Sequence, residues 1–315
     1  MIRAEYSFLL SRLGICRVRH LPTFVSVEPA HACQLRCPDC ALGSGQISPK
    51  GLMSLDTFRQ LLPKLTPYVH TIQFYFQGEP LLNLDLPQMI ALAHEQHIYT
   101  IVSTNAQALT PLLAQQLSEA GLNRIIVSID GFSQESYEQY RVGGSLHKAM
   151  EGLQFLRNAQ RGHRPWIELQ VLRLRSNENE WAYVRRHYRA MGANQLTFKT
   201  AQFIDFENGN DLMPSDSRYS RYELRSDGHY HLKTLPPYSS TPLLPSTPCR
   251  RLWTGCVITT TGEVLPCCYD KAAKYSFGNL LQEDLPSIFH SEKAQSFRRR
   301  VLSNTPIDIC QNCWK

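Results

Sequence analysis

Cys33, Cys37 and Cys40 lie close together in Cys33-Gln34-Leu35-Arg36-Cys37-Pro38-Asp39-Cys40, directly after a short apolar run. Soft thiolate sulfur selects iron–sulfur clusters and zinc. Spaced C-x3-C-x2-C, three thiolates can wrap one face of an iron–sulfur cube and leave its fourth iron open. An open iron is a place for chemistry as well as for electrons. A zinc site or chance clustering is the plainer alternative. The chain has ten cysteines and no secretory signal, which argues against a disulfide framework and for metal binding in a reducing, cytoplasmic setting.

These thiols need a scaffold. The chain of 315 residues is long enough for one large α/β unit and an appendage, and it holds no apolar run of membrane-spanning length. Candidate strands are Phe24–Glu28, Thr71–Phe76, Thr100–Thr104, Arg124–Ile129, Ile167–Leu172 and Gln195–Thr200. Helix-period segments lie between them: Leu55–Leu65, Leu86–Gln96, Pro111–Ala120, Leu146–Gln160 and Glu180–Met191. Ser54, Thr110 and Ser145 read as N-caps, and Gly121 and Gly192 as left-handed C-terminal caps. Strands alternating with helices form a parallel sheet, and six of them suit an open, partial (β/α)6 barrel better than a closed eight-stranded one. Residues at the C-terminal strand ends then line the site. Gly78-Glu79-Pro80, Ser103-Thr104-Asn105 and Ser128-Ile129-Asp130-Gly131 all fall there. Each also reads as an ordinary turn or cap. Arg141 offers a guanidinium for a carboxylate, or is simply solvated. His31 reads as turn filler or as a donor to cluster sulfide.

Cys33-x3-Cys37-x2-Cys40 resembles the motif of the radical S-adenosylmethionine (SAM) superfamily. The resemblance implies a 4Fe–4S cluster whose open iron is chelated by SAM. It also implies reductive cleavage of SAM to a 5′-deoxyadenosyl radical that takes a hydrogen atom from substrate, with a flavodoxin or ferredoxin-type protein as electron donor. Gly78-Glu79-Pro80 matches that family's Gly-Gly-Glu-Pro loop with Gln77 replacing the first glycine, which assigns Glu79 to the SAM amino group. Ser103, Thr104 and Asn105 resemble its ribose-contacting strand end. Ser128 and Asp130 resemble its Ser-x-Asp-Gly segment, and Arg141 is placed to meet the SAM carboxylate. Asp39 stands where the family usually has an aromatic beside the adenine.

Past an irregular stretch, 205–248, with a possible hairpin at Asp227-Gly228, the cysteines resume. Cys249-x12-Gly262-x4-Cys267 and Cys310-x2-Cys313 resemble the SPASM domain or its shortened twitch form. The resemblance implies one auxiliary 4Fe–4S cluster on Cys249, Cys267, Cys310 and Cys313, with Cys268 able to replace Cys267. Four thiolates would saturate it, so electron transfer is its expected role, favouring two-electron oxidation or a crosslink over methyl transfer. Val257–Thr260 and Glu263–Leu265 should form a hairpin, followed by a helix over Leu285–Leu302. Cys256 or Cys268 could return a hydrogen atom to a substrate radical; each also reads as a buried small hydrophobe, as does Cys16.

The domain reading is thus 1–22 helical, 23–204 core, 205–248 linker and 249–315 auxiliary unit. Substrates of such proteins include peptides, protein side chains and aminosugar-type small molecules. The short stretch before Phe24 leaves no room for a fused peptide-recognition domain, so a peptide maturase would need a separate leader-binding protein. The alternative is a small-molecule dehydrogenase or epimerase. A zinc-dependent nucleic-acid-binding protein is the reading from another class. It draws on the net charge of +6, Arg185-Arg186 with Arg189, and Arg298-Arg299-Arg300. Stacking aromatics are not interleaved with these arginines, which read instead as solvated helix faces.

Overall fold

The computed structural model describes residues 9, 15–17, 20–233, 249–303, 305 and 307–313. The helix expected at the N-terminus falls almost wholly outside them. Strands β1 (Phe24–Val27), β2 (Ala30–His31) and β3 (Gly51–Leu52) come first, the last two forming a small antiparallel ribbon. They are followed by β4 (Thr71–Phe74), β5 (Tyr99–Thr104), β6 (Arg124–Ser128), β7 (Trp166–Arg173) and β8 (Gln195–Thr200). The chain then makes a hairpin of β9 (Tyr222–Leu224) and β10 (Tyr230–Leu232) around Asp227-Gly228. It ends with β11 (Gly255–Ile258), β12 (Glu263–Leu265) and β13 (Gly278–Asn279). β1 and β4 to β8 run parallel in that order, as an open sheet.

Local signals set the connecting helices. The side chains of Ser54, Thr110 and Ser145 accept from the amides of Thr57, Leu113 and Lys148 at the first turns of 55–65, 111–119 and 146–159. Gly121 (φ 81°) and Gly192 (φ 105°) take the left-handed conformation after their helices. In the helix Leu55–Leu65 the buried residues Phe58, Leu61, Leu62 and Leu65 form one stripe. Each leucine removed from water there contributes roughly 2 kcal/mol. The sheet's pleat divides the strands in the same way: Ile72, Phe74, Val102, Ile125 and Val127 lie under the helices, fully buried. Gln73, Ser103 and Ile126 turn to the other face, into a cleft.

β11 pairs in parallel with β1, Phe24 opposite Gly255 through Val27 opposite Ile258, and β12 and β13 add antiparallel beyond it. The expected C-terminal hairpin is therefore the far edge of a continuous nine-stranded sheet. Three sequence expectations need correction here. The helix over Leu285–Leu302 is two helices, Leu285–Phe289 and Glu292–Leu302, because Ser291 caps a new start by accepting from the Ala294 amide. Arg298 is not on a solvated face; it is fully buried, donates to the Phe289 carbonyl at 2.9 Å and stacks on the Phe289 ring. The segment expected as a helix over Glu180–Met191 begins as a 3-10 turn and is helical over Trp181–His187.

Glu28, at the end of β1, sits between the two parts of the sheet. It is 1% exposed and accepts from the amides of Gln77 (3.3 Å) and Thr260 (3.4 Å). Burial pushes its pKa from 4.5 to about 7, against the pull of those two amides. An acid whose folded pKa is raised keeps a proton that the unfolded chain has released, so stability falls as pH rises from 4.5 to about 7. Glu28→Leu should flatten that part of the stability–pH curve in denaturant titrations. An unchanged slope counts against this assignment.

Candidate functional site

A cleft of about 430 Å³ opens at the C-terminal ends of the parallel strands, and Cys33, Cys37 and Cys40 all line it. The loop that carries them leaves the β2 strand and is tied to the β6 side by the Arg36 amide, which donates to the Val142 carbonyl at 3.0 Å. Donors face the sulfurs. The Leu35 amide lies 3.4 Å from the Cys33 Sγ, Asn105 Nδ2 lies 3.7 Å from it, and Arg141 Nη1 lies 4.0 Å from the Cys37 Sγ. Burial pushes the Cys33 thiol up to about 11, with Cys37 and Cys40 adding to the rise, which marks the three as electrostatic neighbours. Among the described residues no set of three or more His, Cys, Asp or Glu closes around a single metal ion. The thiols border a space, as a multi-iron cluster requires.

The second floor of the site is the Gly78-Glu79 loop. A Cβ on Gly78 would stand 2.1 Å from the Ala30 carbonyl oxygen and 2.6 Å from that of Ala32, so the backbone can pass there only as glycine. The next amide, of Glu79, donates to the Ala32 carbonyl at 2.8 Å. The Glu79 carboxylate is 3% exposed. Its Oε1 accepts from the Thr104 hydroxyl (2.6 Å) and the Leu81 amide (3.1 Å), and its Oε2 from the Asn105 amide (2.8 Å). Burial raises its pKa while these donors lower it. No ion pair reaches it among the described residues, and Oε2 keeps capacity for one more donor. The carboxylate is thus hydrogen-bonded but without a cationic partner among the described residues.

The structure brings Gly78, Glu79, Ser103, Thr104, Asn105, Ser128 and Arg141 to the cleft with the three thiols, and Cys268 as well. Three expected residues are elsewhere. Asp130 is fully buried and off the cleft; it accepts from the Leu172 amide and from Arg141 Nε, both at 2.6 Å. Arg141 is correspondingly engaged by Asp130, with only Nη1 turned toward Cys37, so its expected role on the SAM carboxylate is already half taken. Pro80 starts a buried 3-10 turn behind the loop. Cys256 lies in the hydrophobic core, 4% exposed, because on β11 it alternates to the helix side. His31 accepts from the Lys50 amide through Nδ1, as turn filler does. Asp39 accepts from the Ile204 amide at 2.9 Å, tying the thiol loop to the exit of β8.

The remaining cysteines form a second group. Burial pushes Cys313 up to about 11 with Cys249 and Cys310 acting on it, and Cys267 is raised by burial with Cys268, Cys249 and Cys313 acting on it. Cys268 instead receives Arg251 Nη1 at 2.7 Å and faces the cleft. Sequence reasoning passed over Gln170, Lys199, Thr200, Gln202, Arg221 and Lys271, all of which line the cleft. Position alone could have found Lys199 to Gln202, at the exit of the last parallel strand.

The family model of the radical SAM superfamily matches residues 27–165, and that of SPASM, an iron–sulfur cluster-binding domain, matches 249–314. Residues 27–165 belong to the radical SAM superfamily and residues 249–314 to the SPASM family. An AdoMet-dependent heme synthase of Methanosarcina barkeri is 27% identical over 139 residues, 44% of this chain and 40% of that protein. A PqqA peptide cyclase of Granulibacter bethesdensis is 25% identical over 198 residues, 62% of this chain and 52% of that one. The chain thus spans about two fifths of the first such relatives. Streptococcus suis SuiB superposes with a TM-score of 0.68 at 12% identity, covering 93% of this chain and 72% of SuiB. BtrN in complex with AdoMet and 2-DOIA gives 0.56 at 20% identity, covering 93% of both chains. These two likenesses show the fold. A radical SAM protein with a SPASM unit implies a 4Fe–4S cluster with SAM and auxiliary cluster binding. Three cleft thiols, two of them faced by N–H donors, fit the first cluster, the cysteines around Cys313 fit the auxiliary one, and the buried Glu79 carboxylate, with no ion pair among the described residues, fits the SAM ammonium.

Proposed function

We propose that the protein reductively cleaves SAM and abstracts a hydrogen atom from a peptide, protein or small-molecule substrate, with residues 23–204 as the radical core and 249–315 as the auxiliary unit. The observation that carries this is the buried Glu79 carboxylate, without an ion pair among the described residues, in the same cleft as Cys33, Cys37 and Cys40. When bound, the reduced cluster and SAM supply the 5′-deoxyadenosyl radical; a flavodoxin or ferredoxin-type donor supplies the electron. Cys33, Cys37 and Cys40 hold the cluster from one side. Glu79 takes the ammonium, and Ser103, Asn105 and Ser128 offer short polar groups to the ribose. Asp130 acts through Arg141, fixing its guanidinium beside Cys37.

Cys249, Cys267, Cys310 and Cys313 hold the auxiliary cluster, which serves electron transfer. Cys268 is then the cysteine available to return a hydrogen atom to the substrate, since Cys256 does not reach the cleft. The similarity to a peptide cyclase supports a peptide substrate; BtrN, whose fold the chain shares, is seen with AdoMet and 2-DOIA, which keeps a small-molecule substrate as the second reading. Anaerobic incubation of reconstituted protein with SAM and dithionite tests the shared part: 5′-deoxyadenosine should form. A colourless protein that leaves SAM intact sinks the reading.

Glu79→Gln removes the charge that meets the ammonium. Hydrogen bonds to charged groups contribute about 1.5–3 kcal/mol, so SAM binding should weaken about ten- to hundredfold with iron content unchanged. Equilibrium dialysis reads this directly, and undiminished affinity would remove Glu79 from the SAM site.

A further inference from the structure

The same cleft holds cationic side chains that none of the roles above uses. Lys199 on β8, Arg221 just before β9, Arg251 in the helix Arg250–Thr254 and Lys271 beyond the Cys267-Cys268 pair all line it. Arg251 belongs to the auxiliary site: it donates to Cys268, and Cys268, Cys313 and Cys249 all raise its pKa. The other three come from separate segments and converge. Arg221 Nη2 reaches the Thr200 hydroxyl at 3.5 Å, and its guanidinium bonds the Tyr269 hydroxyl. Lys199 and Lys271 have no ion-pair partner among the described residues. Two carboxylates line the cleft against them. Glu79 faces the SAM floor, and Asp39 bonds the Ile204 amide and feels Lys271 only after its own burial. Gln170, Thr200 and Gln202 add uncharged polar groups beside the three cations.

Like charges gathered on one wall repel, and a wall with an excess of one sign draws and holds the opposite one. We propose that Lys199, Arg221 and Lys271 form an oxyanion clamp, so that the substrate carries a phosphate or carboxylate group close to the bond that reacts. This rests on the reading above in one respect: the anion is taken to belong to the molecule that loses the hydrogen atom.

Calorimetric titration of the anaerobically reconstituted protein, with SAM present, tests it using inorganic pyrophosphate, succinate and the neutral polyol erythritol. Either anion should bind and erythritol should not. Lys199→Gln and Lys271→Gln should each weaken anion binding about tenfold while iron content and SAM affinity hold. Pyrophosphate alone binding points to a phosphorylated substrate, and succinate alone to a carboxylate. Wild-type affinity should also fall as chloride rises from about 0.05 to about 0.5 M, a readout that stands even if a variant fails to fold. Absence of anion binding, salt-independent binding, or full affinity in either folded variant overturns the clamp. A protein that cleaves SAM but ignores both anions loses this inference alone. One that binds them through the lysines yet holds no iron loses the radical reading alone.

Discussion

Cys37→Ala protein, reconstituted under argon, should carry iron at the C-terminal site only and form no 5′-deoxyadenosine above background. Two thiolates cannot retain a cube for which three are the minimum, and no other cysteine of the cleft can substitute. Cys268, which also lines the cleft, is engaged by Arg251 at 2.7 Å. Iron should therefore fall from about eight to about four per chain. The variant should stay folded, because the loop is also held by the Arg36–Val142 and Asp39–Ile204 bonds. Iron analysis and chromatography of the nucleoside check both halves. Full iron with full cleavage would mean that the cluster sits elsewhere.

Gly78→Ala should be nearly as severe, without touching any ligand. The added methyl carbon would meet the carbonyl oxygens of Ala30 and Ala32, and backbone cannot swing aside as a side-chain tip can. The loop must retreat, and Glu79 with it, breaking its bonds to Asn105 and Thr104. A displacement of about 1 Å is enough to cost on the order of a hundredfold in a positioned site, and forced overpacking costs about 1–3 kcal/mol of stability. SAM binding should drop by that order with the cluster's absorbance intact. A glycine-to-alanine protein that binds SAM normally would show that the loop is softer than its packing implies.

Much of this architecture can be read from local chemistry. Ser54, Thr110 and Ser145 announce their helices because the hydroxyl satisfies an amide within three residues. The strands of the core alternate visibly because one face packs under helices and the other faces the cleft. What stays hidden is non-local. Nothing in Gly255–Ile258 indicates that it will lie parallel to Phe24–Val27, more than two hundred residues earlier. Arg298 sits in a run of three arginines that pattern reasoning sends to solvent, yet its neighbours' carbonyls draw it inside. Asp130 shares its motif with ligand-binding residues, but the fold spends it on Arg141 and the Leu172 amide. The clamp of Lys199, Arg221 and Lys271 is assembled from segments that share no motif, so only the closed cleft reveals it.

The parallel seam between Phe24–Val27 and Gly255–Ile258 limits how the protein can be taken apart. Severing the chain ahead of Cys249 would strip the outer neighbour from a strand whose Val25 and Val27 are fully buried, leaving open amides and carbonyls flanked by valine methyl groups. Such an edge invites pairing with any passing chain. The two iron-holding ends are welded rather than plugged together, and neither can be traded for a homologue's without recutting that seam.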